Sequence, residues 1–255
     1  MNISQEGQGP LVVLSHALAL DRHMWDALTA RLATHCTVVR YDHRGHGQGP
    51  SPEAPYTIDD LADDAAAVIR SVSSRPVVFA GLSLGGMVGQ ALAARHPALL
   101  RGLAVINSAP HYADRALWDA RIEAVRRSGM PAVADASLDR WLTPAFRQSP
   151  AGQAVAERLR QSLLGTDTLG YVRACEAIAA MDLRPGNRRI HTPTLVVAGR
   201  HDLATPLAQS QAIAADIAGA RIAEVEAAHI SAAECPDELA RVLGDWVRAL
   251  PAEAA

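Results

Sequence analysis

FAGLSLGGMVG (Phe79–Gly89) sets one serine, Ser83, among glycines. An apolar run, Pro76-Val-Val-Phe-Ala, precedes it and a helix-forming run follows. The pattern Gly81-x-Ser83-x-Gly85 between a strand and a helix describes a sharp turn that lifts the serine out of the backbone. So tight a turn holds the serine in a strained conformation. Side chains two positions either side would collide, so both places need glycine. The helix opening at Leu84 aims its free N–H groups and positive dipole end at the serine. A serine so placed is a candidate nucleophile. The competing reading is a plain β–α turn.

Working outward, short apolar runs alternate with helical patterns. Leu11–Ser15, Thr37–Tyr41, Val77–Gly81, Leu103–Asn107, Thr194–Ala198 and Arg221–Glu226 have the length and β-branched content of strands buried on both faces. Helical patterns cover Met24–Thr34, Ile58–Val72, Leu84–His96, Leu207–Ile217 and Asp237–Leu250. Thr57 and Asp60 form a capping-box pattern, Pro97 stops the third helix, and Pro206 suits a first helical position. This alternation predicts an α/β fold, a mostly parallel sheet with helices on both faces. It breaks between Ser108 and Arg189, where Ala116–Ser128, Val133–Trp141, Gly152–Leu164 and Gly170–Met181 read as helices without a strand. The expected organisation is a core of residues 1–107 and 190–255 with a helical cap insertion, 108–189, over the strand ends. The tail PAEAA (Pro251–Ala255) is expected to fray.

The rest of the composition narrows the class. The 255 residues carry 24 Lys and Arg against 27 Asp and Glu, a net charge of −3. No basic surplus points to nucleic acid or an anionic membrane. Neither a signal peptide nor an apolar run near the ~20 residues of a membrane span is visible. Cys36, Cys175 and Cys235 lack metal-site or disulfide spacing, so free thiols in a reducing cytoplasm are expected. Assembly into a homo-oligomer is left open.

A serine hydroxyl attacks well only when a base takes its proton and a third group orients that base. On such a sheet the order along the chain is serine, acid, histidine. Of the ten histidines, His191, His201 and His229 lie well downstream. His191 precedes a strand, at the wrong end of the sheet. His229 follows the last strand and precedes the final helix, at the edge where Ser83 sits. The acid should follow an intervening strand, and TLVVAGRHD (Thr194–Asp202) delivers Asp202 there. Asp182 and Asp216 fall in helical stretches, and Asn107 has no carboxylate. A developing oxyanion needs donors. The Leu84 N–H is one, and by position the Leu18 N–H of the loop after the first strand is the second.

LVVLSHALALDRHMWD, VVRYDHRGHGQG, GLSLGGMVGQ, TPTLVVAGRHDLATP and AAHISAAECPDEL together resemble the α/β-hydrolase superfamily, from about Pro10 to the end. RWLTPAF (Arg140–Phe146) and GYVRACEAIAAMDLR (Gly170–Arg184) are similar to the 3-oxoadipate enol-lactonase group. The resemblance implies an α/β-hydrolase fold and hydrolysis of an enol-lactone to 3-oxoadipate, in bacterial aromatic catabolism. It implies no cofactor, Ser83 as nucleophile, Asp202 as orienter, His229 as base, and Leu18 and Leu84 as oxyanion donors. It also implies a substrate carboxylate, for which Arg140 and Arg184 are candidate partners, with Trp141 as an apolar wall. Two departures stand out. The loop His16-Ala17-Leu18-Ala19 lacks the usual glycine or small polar pair, and the N-terminus has room for only part of the usual first hairpin. A broader esterase, lactonase or perhydrolase, a C–C bond hydrolase of ring-fission products, and a non-catalytic receptor on this fold are the competing readings. A dehalogenase would be expected to carry Asp at position 83.

DHRGHGQGP (Asp42–Pro50) has neither dinucleotide-fingerprint spacing nor a third ligand to join His43 and His46 on a metal. It reads as a structural turn, with Asp42 and Arg44 hydrogen-bonded to backbone.

Overall fold

β-Branched runs become strands here because helices cover both of their faces. In the computed structural model, which describes residues 2–251, the strands are β1 (Ile3–Glu6), β2 (Leu11–Ser15), β3 (Thr37–Tyr41), β4 (Val77–Leu82), β5 (Leu100–Ile106), β6 (Thr194–Gly199) and β7 (Arg221–Val225). Every residue of β4 and β6 is buried. The strands form one sheet in the order β1-β3-β2-β4-β5-β6-β7, parallel except where β1 runs against β3.

Two strand expectations need correction. The N-terminus does supply a further strand: Ile3 pairs with Tyr41 and Glu6 with Val38. β5 starts at Leu100, which pairs with Val77, rather than at Leu103.

The strand order positions the site. From β2 the chain moves outward to β3, then crosses back past β2 to β4. The loops after β2 and β4 therefore leave the sheet in opposite directions and open a crevice at the carboxyl ends of those strands. Ser83 and the His16–Ala19 loop flank that crevice.

Helices α1 (Asp26–Leu32), α2 (Ile58–Val72) and α3 (Leu84–Arg95) belong to the first half of the sheet. α2 opens on the expected capping box, Thr57 Oγ1 accepting from Asp60 N while Asp60 accepts from Thr57 N. Its apolar positions Ile58, Leu61, Ala65, Val68 and Ile69 recur at helical spacing and are buried.

Between β5 and β6 lie α4 (Ala116–Ser128), α5 (Pro131–Trp141), α6 (Pro144–Gln148), α7 (Pro150–Gly165), α8 (Thr168–Ala180) and α9 (Arg184–Asn187), with no strand among them. Pro131, Pro144 and Pro150 each occupy a first turn, where a missing N–H costs nothing. The two ends of this segment meet: His111 bridges Asp182, and Leu183 N donates to Pro110 O at 2.9 Å.

The chain finishes with α10 (Leu207–Asp216), α11 (Ser231–Glu234) and α12 (Pro236–Ala249). Pro206 is the residue that caps α10 rather than its first residue. α12 buries Leu239, Leu243, Trp246 and Val247 on one face and packs on α1. Among the described residues, no helix is long and apolar enough to cross a membrane. The last four residues of the PAEAA tail lie outside the described residues.

Candidate active site

β4 ends at Leu82 and α3 begins at Leu84, so Ser83 alone makes the turn. Its φ of 56° and ψ of −114° are strained for a residue with a side chain. Three contacts hold it there. Ser83 N donates to Ile106 O at 2.9 Å, Ser108 Oγ donates to Ser83 O at 2.8 Å, and Met87 N closes the first helical turn onto Ser83 O at 3.0 Å. The flanking glycines are needed for clearance. A Cβ on Gly81 would stand 2.0 Å from Gly85 O, and one on Gly85 would stand 2.0 Å from Ser15 O. Gly85 N also donates to His16 O at 3.1 Å, which docks the loop after β2 against the turn.

That loop is built around His16. Its Nε2 accepts from His43 N at 3.0 Å, so Nδ1 carries the proton and donates to Ala17 O at 2.8 Å. Ala19 follows at a φ of 65°. Leu18 and Leu84 thus lie on either side of Ser83, and among the described residues neither backbone N–H has a hydrogen-bond partner.

Asp202 and His229 arrive from two other strand ends, beyond β6 and β7. His229 Nδ1 lies 2.9 Å from Asp202 Oδ2. The carboxylate is enclosed by donors. Oδ2 also accepts from Thr205 Oγ1 at 2.6 Å and Asn107 Nδ2 at 2.9 Å. Oδ1 accepts from the backbone of Ala204 at 2.8 Å and Thr205 at 2.9 Å. Burial pushes this carboxyl up, but His229 and the Thr205 hydrogen bonds outweigh burial and hold it down at about 2. An ionised carboxylate only accepts, so the proton sits on Nδ1 and the Nε2 lone pair is left free to take another.

The His229 loop is tied down on both sides. Ala228 N donates to Glu234 at 2.9 Å, and Ile230 N donates to Trp141 O at 2.9 Å. Glu234 also accepts from Thr143 N at 3.2 Å and from the Thr143 hydroxyl. One carboxylate therefore joins the His229 loop to the connection between α5 and α6.

Ser83 and His229 open into one cavity of about 280 Å³, and Leu18 lines it beside them. Trp141 and Arg140 line it too, from α5. Leu84 is wholly buried next to Ser83, and Asp202 is buried behind His229. Arg184 is elsewhere: it pairs with Asp182 on the surface, so the expectation that it faces the pocket is corrected. Three residues escaped the sequence reading. Asn107 was set aside for lacking a carboxylate, yet its amide donates to Asp202. Glu234 lies within AAHISAAECPDEL but was given no role there, and the cavity-lining Arg121 carried no motif signal.

Asp42–Pro50 does form a turn, with His46 N bonded to His43 O and Gly49 N to His46 O. Asp42 accepts from the backbone of Arg22 at 2.8 Å and Gln48 at 3.2 Å, as expected. Arg44 does not bond to backbone; it makes a two-pronged pair with Asp64 at 2.6 Å. Among the described residues, no cluster of side chains could hold a metal ion.

Instead His43 and His46 pack against His16, with ring centroids 4.4 and 5.5 Å from the His16 ring. Burial holds all three rings neutral. Mutual repulsion pushes His43 and His46 further down, His46 to about 3, against the attraction of Asp42 for His16 and His46. Each unfolded ring takes a proton below 6.5 while its folded counterpart does not. Stability is therefore complete above that pH and lost on acidification toward the folded value. At pH 5 keeping the His46 ring neutral costs about 2 kcal/mol. The melting temperature is expected to drop between pH 7.5 and 5.0, and His46→Gln to flatten that drop. An equal pH dependence in the variant would remove His46 from the explanation.

A strained serine between strand and helix, beside a buried Asp–His pair on a mostly parallel sheet, defines an α/β-hydrolase. The chain belongs to that family: the profile described as alpha/beta hydrolase fold matches residues 10–235. It is 34% identical over 239 residues to a 3-oxoadipate enol-lactonase of Acinetobacter baylyi, covering 92% of this chain and 88% of that one. It is 30% identical to a 2-(acetamidomethylene)succinate hydrolase of Mesorhizobium japonicum, covering 78% of this chain and 73% of that one. The crystal structure of the enol-lactonase from Burkholderia xenovorans is similar at a TM-score of 0.92 and 38% identity, covering 97% of this chain and 96% of that one.

Proposed function

We propose that this protein is a serine hydrolase that opens an enol-lactone of the 3-oxoadipate type through an acyl-enzyme. The observation that carries the reading is Ser83 sharing a cavity with His229, whose ring is oriented by a buried, ionised Asp202. The similarity to enol-lactonases at 34% and 38% identity supports the choice of lactone. Residues 108–189 act as a cap over the substrate.

In this mechanism His229 Nε2 takes the Ser83 proton as Oγ bonds to the lactone carbonyl carbon. The N–H groups of Leu18 and Leu84 hold the oxyanion, often the largest contribution to such reactions. The ring C–O bond then breaks, and the leaving enolate oxygen takes the proton from His229. The enol becomes a ketone, which makes ring opening effectively irreversible. Water gives a proton to His229 and attacks the acyl-enzyme. The new carboxylic acid leaves, and Ser83 Oγ regains its proton.

The test compares kcat/KM of the purified protein for the enol-lactone and for p-nitrophenyl acetate. The enol-lactone is expected to be favoured by at least about a hundredfold, because the larger substrate brings more binding interactions to the transition state. Parity would favour a broad esterase on the same residues, and turnover of neither would overturn the reading.

A further inference from the structure

We propose that Met24 is a positioning residue for the oxyanion hole: its sulfur takes the Ala17 N–H and so aims the Leu18 N–H at the oxygen of the Ser83 adduct. The proposal rests on the serine-hydrolase reading and adds to it a residue that touches neither substrate nor nucleophile.

Ala17–Leu20 form a β-turn. Leu20 N donates to Ala17 O at 3.3 Å, and Ala19, at a φ of 65°, is the left-handed third residue of a type II turn. The closing bond uses the N–H of the fourth residue, so the N–H of the second, Leu18, is spare. A trans peptide is planar, and this N–H therefore points opposite to the Ala17 carbonyl. Whatever holds Ala17 aims the Leu18 N–H.

Ala17 is held on both sides. Its carbonyl accepts from His16 Nδ1 at 2.8 Å. Its N–H donates to Met24 Sδ at 3.2 Å, and among the described residues no carbonyl accepts from it. A thioether is a weak acceptor. Ala17 is buried, however, and a buried N–H without a partner is costly. With the sulfur gone, the peptide would turn to find another acceptor, and the Leu18 N–H would turn with it.

The sulfur is itself well placed to act as an anchor. Met24 is buried in a single 3-10 turn, Arg22–Trp25, which two carboxylates fasten. Asp21 Oδ1 accepts from His23 N at 2.8 Å, and Asp42 Oδ1 accepts from Arg22 N at 2.8 Å. On the far side of the β-turn, the Thr166 hydroxyl donates to Ala19 O at 3.1 Å. Leu18 lies between these tethers and lines the cavity with Ser83. For packing alone a leucine would serve at position 24, since leucine and methionine exchange readily in cores. What leucine lacks is the acceptor.

The test sets M24L against M24Q. Leucine keeps the bulk and removes the acceptor. Glutamine keeps an acceptor, and its NH2 group can reach water, because Met24 also walls a second cavity, of about 680 Å³, whose lining residues His23 and Asp26 are exposed. With 4-nitrophenyl acetate, M24L is expected to lose about tenfold in kcat at unchanged KM, part of the roughly 10²–10³ that loss of a whole oxyanion donor costs. Acylation and deacylation both pass through an oxyanion, so the loss falls on kcat. M24Q is expected to recover most of it. Phenylboronic acid adds to Ser83 and sets an oxygen where the oxyanion forms, and calorimetry is expected to show it bound about tenfold more weakly by M24L. A wild-type kcat in M24L, an equal loss in M24Q, or a loss confined to KM overturns the proposal. A cooperative circular-dichroism melt shows each variant folded. Should M24L not melt cooperatively, Met24→norleucine, which exchanges only the sulfur for CH2, takes its place. If the wild type hydrolyses no ester, the serine-hydrolase reading fails and the boronic acid alone decides: weaker binding to M24L upholds the role of Met24, and equal or absent binding overturns it.

Discussion

Replacing Ser83 with glycine is expected to abolish turnover and at the same time raise the melting temperature. Loss of a serine nucleophile costs about 10⁵ to 10⁶ in kcat, because base and orienter have nothing left to activate. The stability change comes from the backbone. Ser83 stands at φ 56° and ψ −114°, a conformation that costs a side-chain-bearing residue about 1–3 kcal/mol. Glycine adopts it freely, at a cost of about 0.5–1 kcal/mol from the greater freedom of the unfolded chain. The net gain of about 1 kcal/mol corresponds to a rise of about 2–4 °C for a chain of this size. Ser83→Ala is the control. It removes Oγ but keeps Cβ and the strain, so it should lose activity equally without the rise. Steady-state kinetics and calorimetry read the two effects separately. Retained activity in either variant would point to another nucleophile, and a lower melting temperature for the glycine variant would contradict the strain.

The second large effect is expected at Asp202. Asp202→Asn keeps the shape but gives His229 Nδ1 an amide, which can donate to it and move the ring proton to Nε2. A loss of about 10⁴ in kcat follows from the wrong tautomer. The neighbouring amide tests the same logic from outside. Asn107 Nδ2 donates at 2.9 Å to Oδ2, the oxygen that holds His229. Asn107→Asp would set two carboxylates against each other, and one must take a proton. The sign is fixed: a raised carboxyl pKa means the ionised acceptor is lost at a higher pH as the solution is acidified. The acid limb of the kcat/KM profile should therefore move upward, with activity recovering at alkaline pH. An acid limb in the same place as wild type would show that Asn107 does not act on the Asp202 charge.

Asn107 also illustrates what a sequence conceals. The glycines around Ser83 are legible because the constraint is local: two residues either side decide whether the turn can form. Most helices and strands are legible for the same reason, as are Asp202 and His229, each of which follows a strand directly. The contact between Asn107 and Asp202 joins residues 95 positions apart, and Thr143 meets Glu234 across 91. Only the assembled sheet and the returning helices create those pairs. Arg44 shows the same limit at shorter range, since nothing in its turn announces Asp64 on α2 as its partner. β1 is hard to read in the sequence because MNIS leaves room for only part of a hairpin and Ile3-Ser-Gln-Glu is short and mostly polar. Such a strand forms at an edge, where a single partner supplies its hydrogen bonds and the outer side faces solvent.

The double anchoring of the His229 loop has a consequence for anyone rebuilding this enzyme. Exchanging residues 108–189 for the equivalent segment of another hydrolase is a natural way to transplant a binding preference. Here the transplant would replace the Thr143 hydroxyl, and it would keep the acceptor of Ile230 N and the residue-143 N–H on Glu234 only by reproducing the backbone between α5 and α6. A working chimera must therefore bring an N–H and a hydroxyl at position 143, or alter Glu234 together with the graft.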